Sequence, residues 1–157
     1  MRVGQGIDMH RFAEEGCPLV LGGVLFDGER GLEGHSDADV VAHAAADALL
    51  GAAGLGDLGS LFPDTDPAFA GADSLRLLAE VAARVRAAGW EPANVDCAVV
   101  LEAPRLAPYR VPMQEALSAA VGAAVTVKAT RPERLGALGR GEGIGCLAVA
   151  LVDRVAP

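Results

Sequence analysis

Residues 34–53 read GHSDADVVAHAAADALLGAA and contain the clearest helix signal in the chain. Alanine and leucine, which are strong helix formers, dominate the part from residue 38 to residue 53. Ser36 or Asp37, just before this part, is expected to cap the free N–H groups of the first turn. The pattern therefore predicts a helix over residues 38–53.

Strand and turn signals lie on both sides of this helix. Residues 2–12 alternate apolar and polar side chains between glycines, and residues 18–26 predict a strand or a hairpin that bends at Gly22-Gly23. Further predictions are a loop at 54–71, helices at 74–88 and 109–121, and strands at 94–102, 125–129 and 144–152. This order favours one α+β domain over residues 1–157, an α/β sandwich in which helices pack on one face of a mixed sheet.

Charge and composition exclude some functions. The chain of 157 residues has a formal net charge of −8, which disfavours broad attraction to nucleic acid or to an anionic membrane. No apolar run reaches the about 18 residues of a membrane helix, and the first residues lack the organisation of a signal peptide. The 3 cysteines are widely spaced, as is usual in a reducing compartment. We therefore expect a cytoplasmic protein without a nucleic-acid or membrane partner.

The histidines supply the first functional signal, because all 3 lie within the first 43 residues and close to aspartates. Asp8 and His10 are two residues apart on a predicted strand, so their side chains project from the same face. His43 lies between Asp39 and Asp47 on the predicted helix, and one of these carboxylates is a candidate to orient its imidazole. Two imidazoles and a carboxylate are typical of catalytic zinc, whereas scattered polar residues are the alternative from spacing alone.

Two segments near the predicted helix contain further candidates for ligand binding. His35 immediately precedes the helix N-terminus, where N–H groups and the helix dipole attract phosphate, although a simple capping segment is the alternative. Asp57, Asp64 and Asp66 lie in a loop rich in glycine and proline, which suits either a ligand-binding loop or a solvated turn.

A glycine-rich stretch, GRGEGIG, occupies residues 139–145. It precedes a predicted strand, and its spacing departs from G-x-G-x-x-G, so we reject a dinucleotide-binding motif. Arg140 and Glu142 in this stretch are expected either to pair within a tight turn or to form part of an anion site.

Several motifs occur in order along the chain: GQGIDMHRF at 4–12, GHSDADVVAHAAADALLGA at 34–52 and DLGSLFPDTD at 57–66. Together they resemble the 2-C-methyl-D-erythritol 2,4-cyclodiphosphate synthases of the non-mevalonate isoprenoid pathway. The likeness continues through NVDCAVVLEAP at 94–104 and VKATRPERLGALGRGEGIGCLAVALV at 127–152, so it covers nearly the whole chain.

The resemblance implies a reaction on 4-diphosphocytidyl-2-C-methyl-D-erythritol 2-phosphate. The 2-phosphate of this substrate attacks its own β-phosphorus, so that a 2,4-cyclodiphosphate forms and CMP leaves, as in a phosphorus–oxygen lyase. It implies further that Asp8, His10 and His43 bind one zinc ion per active site. Glu133 is expected to help bind a magnesium or manganese ion that bridges the α and β phosphates.

The same resemblance distributes the substrate contacts. It places the methylerythritol against 57–59 and 62–66, and the cytidine with its phosphates against 101–107 and 130–133. The implied catalytic residues are His35, Thr130 and Arg131. The implied substrate-binding residues are Asp8, His10, His35, Ser36, Asp57, Leu58, Gly59, Phe62, Pro63, Asp64, Thr65, Asp66, Leu101, Ala103, Pro104, Leu106, Ala107, Thr130, Arg131, Pro132, Glu133 and Arg140.

The chain departs from the family at Arg131, where a threonine that contacts phosphate is expected. Either the arginine takes over this contact, or Thr130 makes it alone while Arg131 points to solvent. The resemblance also implies a homotrimer with active sites between subunits. Arg140 and Glu142 would then line the three-fold axis, where a central cavity takes an isoprenoid diphosphate.

Two other functions are compatible with the same residues. One is a zinc-dependent phosphohydrolase, in which the open metal position activates water. The other is a small trimeric binding protein that keeps the cytidine pocket and uses its metal only for structure.

Overall fold

The structure is a computed structural model that describes residues 1–14, 16–63, 65–66 and 71–155. Its strands are β1 (Arg2–Arg11), β2 (Pro18–Leu21), β3 (Val24–Arg30), β4 (Trp90–Val100), β5 (Ala124–Thr130) and β6 (Gly143–Arg154). Its helices are α1 (Val40–Ala53), α2 (Leu58–Leu61), α3 (Ser74–Ala87), α4 (Arg110–Val121) and α5 (Gly136–Gly139), with a 3-10 turn at Ala107–Tyr109. None of the helices in these ranges combines the length and apolarity needed to cross a bilayer.

Strands β1, β6, β4 and β5 form a mixed sheet in that order, and β2 pairs with β3 in a separate hairpin. The contacts β1–β6 and β6–β4 are antiparallel, whereas β4 and β5 are parallel. Parallel neighbours need a crossover connection, and α4 supplies it. Helices α1, α3 and α4 pack on the sheet, α1 against β1 and β6, α3 against β4 and α4 against β5. The predicted α+β class, mixed sheet and helical layer are confirmed.

Close packing of α1 on β1 depends on two glycines. A Cβ atom built at Gly4 would lie 2.0 Å from the carbonyl oxygen of Ala48, and one at Gly6 would lie 2.0 Å from that of Ala44. Any side chain at these positions would push the helix away from the strand. The glycines that interrupt the first strand pattern therefore fix the distance between β1 and α1.

The N-terminus of α1 differs from the prediction. The helix begins at Val40, and its N-cap is Asp39, not Ser36 or Asp37. Asp39 is fully buried, and its carboxylate accepts N–H groups from α1 and from Gly22 and Gly23 at 2.8 and 2.7 Å. Burial raises the pKa of this carboxyl, an effect that the N–H donors oppose. Asp39 thus joins the β2–β3 turn to the helix. Spacing along the chain does not reveal this link, because Gly22 and Gly23 are distant in sequence.

Other element boundaries also shift. The predicted loop at 54–71 contains α2, which Asp57 caps through the N–H group of Ser60. Strand β4 begins at Trp90 instead of Asn94, because its first residues pair with the end of β6. The predicted helices at 74–88 and 109–121 and the hairpin at 18–26 are confirmed within a few residues at each end.

Candidate metal centre and adjoining cavities

The predicted metal ligands Asp8, His10 and His43 lie together. The first two project from the face of β1 that packs against α1, and His43 projects from α1. Asp8 Oδ2 is 3.2 Å from His10 Nε2 and 2.9 Å from His43 Nδ1. One ligand atom from each of the three residues lies within 4.8 Å of the other two. We call these three residues the metal cluster.

The far nitrogen of His10 is held by the backbone. Its Nδ1 lies 2.6 Å from the carbonyl oxygen of Glu33. Because a carbonyl oxygen only accepts hydrogen bonds, Nδ1 must carry a proton, and we assign the lone pair of the neutral ring to Nε2. That lone pair faces Asp8.

The far nitrogen of His43 is held by side chains. Its Nε2 lies 2.8 Å from Ser74 Oγ and 3.2 Å from Ser36 Oγ, and the Ser74 hydroxyl donates a short hydrogen bond to Asp37 Oδ1. This leaves an oxygen lone pair of Ser74 for the Nε2–H group of His43. The lone pair of the neutral His43 ring then lies on Nδ1, which also faces Asp8.

Neither of the aspartates predicted to orient His43 does so. The carboxylate of Asp39 is occupied by backbone N–H groups, and Asp47 Oδ1 accepts the N–H group of Leu58 at 2.7 Å. Four-residue spacing on a helix brings side chains to one face, but it does not decide which other donors compete for them. The ring contacts Ser74 instead, which in turn contacts Asp37. Spacing along the chain does not reveal this arrangement, because tertiary folding brings Ser74 to a histidine 31 positions away.

The cluster has the electrostatics of a cation site. Burial opposes ionisation of Asp8. When the two rings are protonated, however, His10 Nε2–H and His43 Nδ1–H donate hydrogen bonds to Asp8, and these bonds together with the ring charges outweigh burial and hold the pKa of Asp8 well below the usual range. The hydrogen bond to Asp8 raises the pKa of His10, and partial burial opposes this effect. A carboxylate and two imidazole lone pairs that converge on one point fit a divalent metal such as zinc.

Ser74, His43 and Asp8 also have the hydrogen-bond order of a serine hydrolase triad. Two observations exclude this function. Ser74 is only 1% exposed, so a substrate cannot reach its oxygen, and its hydroxyl proton goes to Asp37 rather than to the imidazole. The geometry therefore supports metal binding and not a serine nucleophile.

A cavity of about 540 Å³ opens beside the metal cluster, and we call it the first cavity. Besides the cluster itself, predicted site residues that line it are His35, Ser36, Leu58, Gly59, Phe62 and Pro63. The described lining does not include Thr65 or Asp66, and Asp64 lies outside the described residues. Asp57 is not part of the described lining either; it caps α2, and hydrogen bonds from Ser60 lower the pKa of its exposed carboxyl.

A second cavity, of about 290 Å³, lies at the ends of β4 and β5. Predicted nucleotide contacts that line it are Leu101, Pro104, Leu106, Ala107, Thr130 and Arg131. No described residue belongs to the lining of both the first and the second cavity. Within one chain, the predicted zinc ligands, with His35 and Ser36, therefore line the first cavity, and most of the predicted nucleotide contacts line the second.

The remaining predicted residues lie near the second cavity. Pro132 and Glu133 follow β5 in a turn, where Glu133 has φ of 52° and is exposed. Among the residues that the structure describes, Glu133 does not join the metal cluster. Ala103 and Arg140 line a third cavity of about 300 Å³, and Arg140 Nε lies 2.5 Å from Glu142 Oε1, so the predicted ion pair is confirmed.

Comparisons with known proteins identify relatives along the whole chain. The model of the YgbB family matches residues 1–153. A protein of Alkalilimnicola ehrlichii named 2-C-methyl-D-erythritol 2,4-cyclodiphosphate synthase is 54% identical over 157 residues, with 98% of this chain and 96% of the relative covered. One of Rubrobacter xylanophilus with the same name is 56% identical, with 98% and 95% covered.

Solved structures that superpose on nearly the whole chain point to the same family as these relatives. The bifunctional IspDF of Campylobacter jejuni superposes with a TM-score of 0.93 and 41% identity over 98% of this chain, which spans 42% of that longer protein. The CDP complex of IspF from Plasmodium falciparum gives a TM-score of 0.84 and 29% identity, with 99% of this chain and 97% of that one covered. From sequence and structure together, the chain belongs to the YgbB family.

Proposed function

We propose that this chain is an enzyme that converts 4-diphosphocytidyl-2-C-methyl-D-erythritol 2-phosphate into 2-C-methyl-D-erythritol 2,4-cyclodiphosphate and CMP. It would thus be a phosphorus–oxygen lyase of isoprenoid precursor synthesis in the cytoplasm. The observation that carries the proposal is the metal cluster, with Asp8, His10 and His43 lining the first cavity. Relatives named for this synthase activity share more than half of the residues of the chain.

The role of the chain in this reaction would be to orient the substrate. Asp8, His10 and His43 would hold zinc, and that ion would supply Lewis acidity for the charge of the β-phosphate. The 2-phosphate oxygen then forms a bond to the β-phosphorus while the bond between that phosphorus and the bridging oxygen breaks, so that CMP leaves with the bridging oxygen. Because attacking and leaving groups belong to one substrate, catalysis requires an in-line fold of that substrate and no protein nucleophile.

The first cavity has the groups to impose that fold. His35 and Ser36 lie beside the metal cluster, where they would donate hydrogen bonds to the attacking phosphate. Leu58, Phe62 and Pro63 form apolar walls that would exclude water, so that the substrate phosphate attacks instead. Asp57, with Gly59 and residues 64–66, would bind the hydroxyl groups of the methylerythritol.

The second cavity is the proposed site of the cytidine and its phosphates. Its walls combine apolar side chains with Thr130 and Arg131 at the open end of β5. The relative from Plasmodium falciparum is described as a CDP complex, which supports a nucleotide pocket in the family. Glu133, one turn further on, would bind a magnesium or manganese ion on the diphosphate.

A homotrimer would bring the two cavities together across a subunit boundary. The sheet face opposite the helices exposes Val3, Ile7, Met9, Leu147 and Val149, and the exposed fractions of Val3 and Met9 are 67% and 59%. Exposed apolar side chains that cluster on a sheet face mark an interaction surface. In such a trimer Arg140 and Glu142 would lie near the axis, where an isoprenoid diphosphate is the proposed ligand.

The test is to incubate zinc-loaded protein and magnesium with the proposed substrate and to follow phosphorus NMR. Cyclic diphosphate together with CMP supports the synthase. Linear phosphate that incorporates oxygen from labelled water supports the phosphohydrolase instead. If a metal-replete protein binds CDP but produces neither product, the chain is a binding protein.

A further inference from the structure

We propose that Ser74 and Asp37 are positioning residues that fix the ring of His43 for metal binding. The inference rests on the proposed metal cluster, which it deepens by assigning a role to two residues outside it. Neither residue belongs to the described lining of the first cavity, and neither was predicted to contact the substrate. Their role would be to act on the metal through His43 alone.

The contact to His43 is buried and close. Ser74 Oγ lies 2.8 Å from His43 Nε2, and Ser74 is only 1% exposed. A buried hydroxyl with one imidazole neighbour and one carboxylate neighbour has its hydrogen bonds determined by those neighbours. Water does not compete for them.

Asp37 holds Ser74 with both of its carboxylate oxygens. Oδ1 accepts the Ser74 hydroxyl, and Oδ2 accepts the Ser74 backbone N–H group at 3.1 Å. This pairing fixes the position of Ser74 at the start of α3 relative to the segment that precedes α1. The hydroxyl oxygen is therefore held in place before any metal binds.

The direction of the hydrogen bonds determines what His43 presents to a metal. An ionised carboxylate only accepts, so the Ser74 proton points to Asp37 and the Ser74 oxygen accepts from His43 Nε2–H. The lone pair of the imidazole then lies on Nδ1, 2.9 Å from Asp8 Oδ2. The negative charge of Asp37 also polarises the chain of bonds and makes Nδ1 a stronger ligand.

Ser36 is the competing partner of His43 Nε2, but it fits less well. Its oxygen is 3.2 Å away and already accepts the N–H group of Ala38 at the same distance. Ser36 also lines the first cavity, where a phosphate would compete for its hydroxyl. The geometry assigns the orienting role to Ser74.

The two ligand histidines are therefore supported in different ways. His10 is held by a backbone carbonyl, which no side-chain substitution removes. The support of His43 comes from side chains and can be deleted by one substitution. Ser74→Ala is the cleanest change, because it removes the hydroxyl and retains the backbone hydrogen bond to Asp37.

The experiment measures zinc affinity by competition with a chelator, together with the absorption of the cobalt-substituted protein. Ser74→Ala and Asp37→Asn are each expected to weaken zinc binding by about 10- to 100-fold, as is usual when the partner of a ligating histidine is removed. The absorption bands of cobalt should also shift, because the imidazole of His43 changes its position relative to the metal. Ser36→Ala should reduce zinc affinity less than Ser74→Ala does.

Ser118→Ala is the matched control. Its hydroxyl also accepts a hydrogen bond, from the N–H group of Val125 at 2.9 Å, but it lies far along the chain on α4. Thermal unfolding of all metal-free variants separates lost stability from lost affinity. If Ser74→Ala does not fold, Asp37→Asn provides the same measurement.

The outcomes separate the inference from the function on which it rests. A wild-type protein that binds neither zinc nor cobalt through Asp8, His10 and His43 removes the metal site itself. A wild-type protein that binds metal while Ser74→Ala and Asp37→Asn bind it equally well overturns the positioning role alone. A loss of stability without a loss of affinity also overturns it.

Discussion

The metal cluster and the second cavity are built in different ways. At the cluster, the side chains of Asp8, His10 and His43 are 12–23% exposed, and buried or backbone partners orient both imidazoles. At the second cavity, Thr130 and Arg131 are exposed at the end of a strand. One chain thus positions the residues of the metal cluster almost completely. It leaves the residues proposed to bind phosphate, Thr130 and Arg131, to be ordered by the substrate or by a neighbouring subunit.

The difference indicates how the two regions should respond to substitution. A substitution in the metal cluster should disturb all three ligands at once, because they hold one another in place. The loss of turnover should therefore be large, and a higher substrate concentration should not restore it. A change at the second cavity should remove one contact among several and should appear mainly as weaker substrate binding.

The largest effect is expected for His10→Ala. Loss of one of two imidazoles should remove zinc and reduce turnover by about 10³-fold or more, since a charge-stabilising group is lost at the reacting phosphate. Phosphorus NMR measures turnover, and sedimentation measures the oligomeric state. The protein should keep its fold and assembly.

Glu115→Ala on the exposed surface of α4 is the control for His10→Ala. It should retain full turnover and zinc content. If His10→Ala unfolds or dissociates while Glu115→Ala does not, the metal is structural and the binding-protein alternative gains support.

The next effect concerns the spacing between β1 and α1. Gly6→Ala places a methyl group 2.0 Å from the carbonyl oxygen of Ala44 and 2.7 Å from the N atom of Ala48, so the helix must move. We expect a loss of about 3 kcal/mol in the free energy of unfolding. Zinc affinity should fall as well, because His43 moves with α1 while Asp8 and His10 stay on β1.

Gly51→Ala is the matched control within α1. A Cβ atom there meets nothing closer than 3.8 Å, so the variant should gain about 0.5–1 kcal/mol from helix propensity. Denaturant unfolding of metal-free protein compares the two glycines. Equal stabilities would show that the distance between β1 and α1 does not depend on Gly6.

The sequence predicted the metal cluster more fully than its surroundings. Two-residue spacing on a strand placed Asp8 and His10 on one face, but spacing alone left scattered polar residues as an alternative. The resemblance to the family joined His43 to them as a third metal ligand. Spacing did not reveal Ser74 as a partner of His43, since that contact depends on how α3 packs beside α1. The N-cap was misplaced for a similar reason, because Asp39 is fixed by the distant turn at 22–23.

Elsewhere the sequence pattern predicted elements better than boundaries. Strand β4 extends back to Trp90 because β6 offers partners there, and α2 forms where Asp57 provides a cap within a stretch rich in glycine and proline. The resemblance to the family implied active sites between the subunits of a homotrimer, with nucleotide and metal residues meeting across the boundary. The structure divides them between two cavities, which the proposed homotrimer would reunite.

A smaller effect is expected at the second cavity. Arg131→Ala should raise KM about 10-fold with a lesser change in kcat, because a charge-assisted hydrogen bond to phosphate is lost. Arg131→Thr, which introduces the threonine that the resemblance to the family leads us to expect here, should recover part of the loss. Arg154→Ala, at the exposed end of β6, is the control. An unchanged KM in Arg131→Ala would mean that Thr130 makes the phosphate contact alone.

The smallest effect is the pH dependence of the metal-free protein, and its sign follows from the pairing of Asp8 with His10. The pKa of His10 is raised in the folded state, so its contribution to stability is complete below its unfolded pKa and is lost as pH rises through the folded pKa. The pKa of Asp8 is lowered, so its contribution is complete above its unfolded pKa and is lost as pH falls through the folded pKa. Between these limits, near pH ~5, the ion pair is intact.

We therefore expect the apo protein to unfold at a higher temperature near pH ~5 than near pH ~8 as far as this pair is concerned, and His10→Gln should remove that difference. Zinc reverses the preference, because a proton on either imidazole competes with the metal and acid then releases it. Scanning calorimetry of apo and zinc-loaded protein at both pH values measures the two signs. Equal pH dependence in the two forms would show that His10 does not bind the metal, and the contrast between the cluster and the second cavity would lose its physical basis.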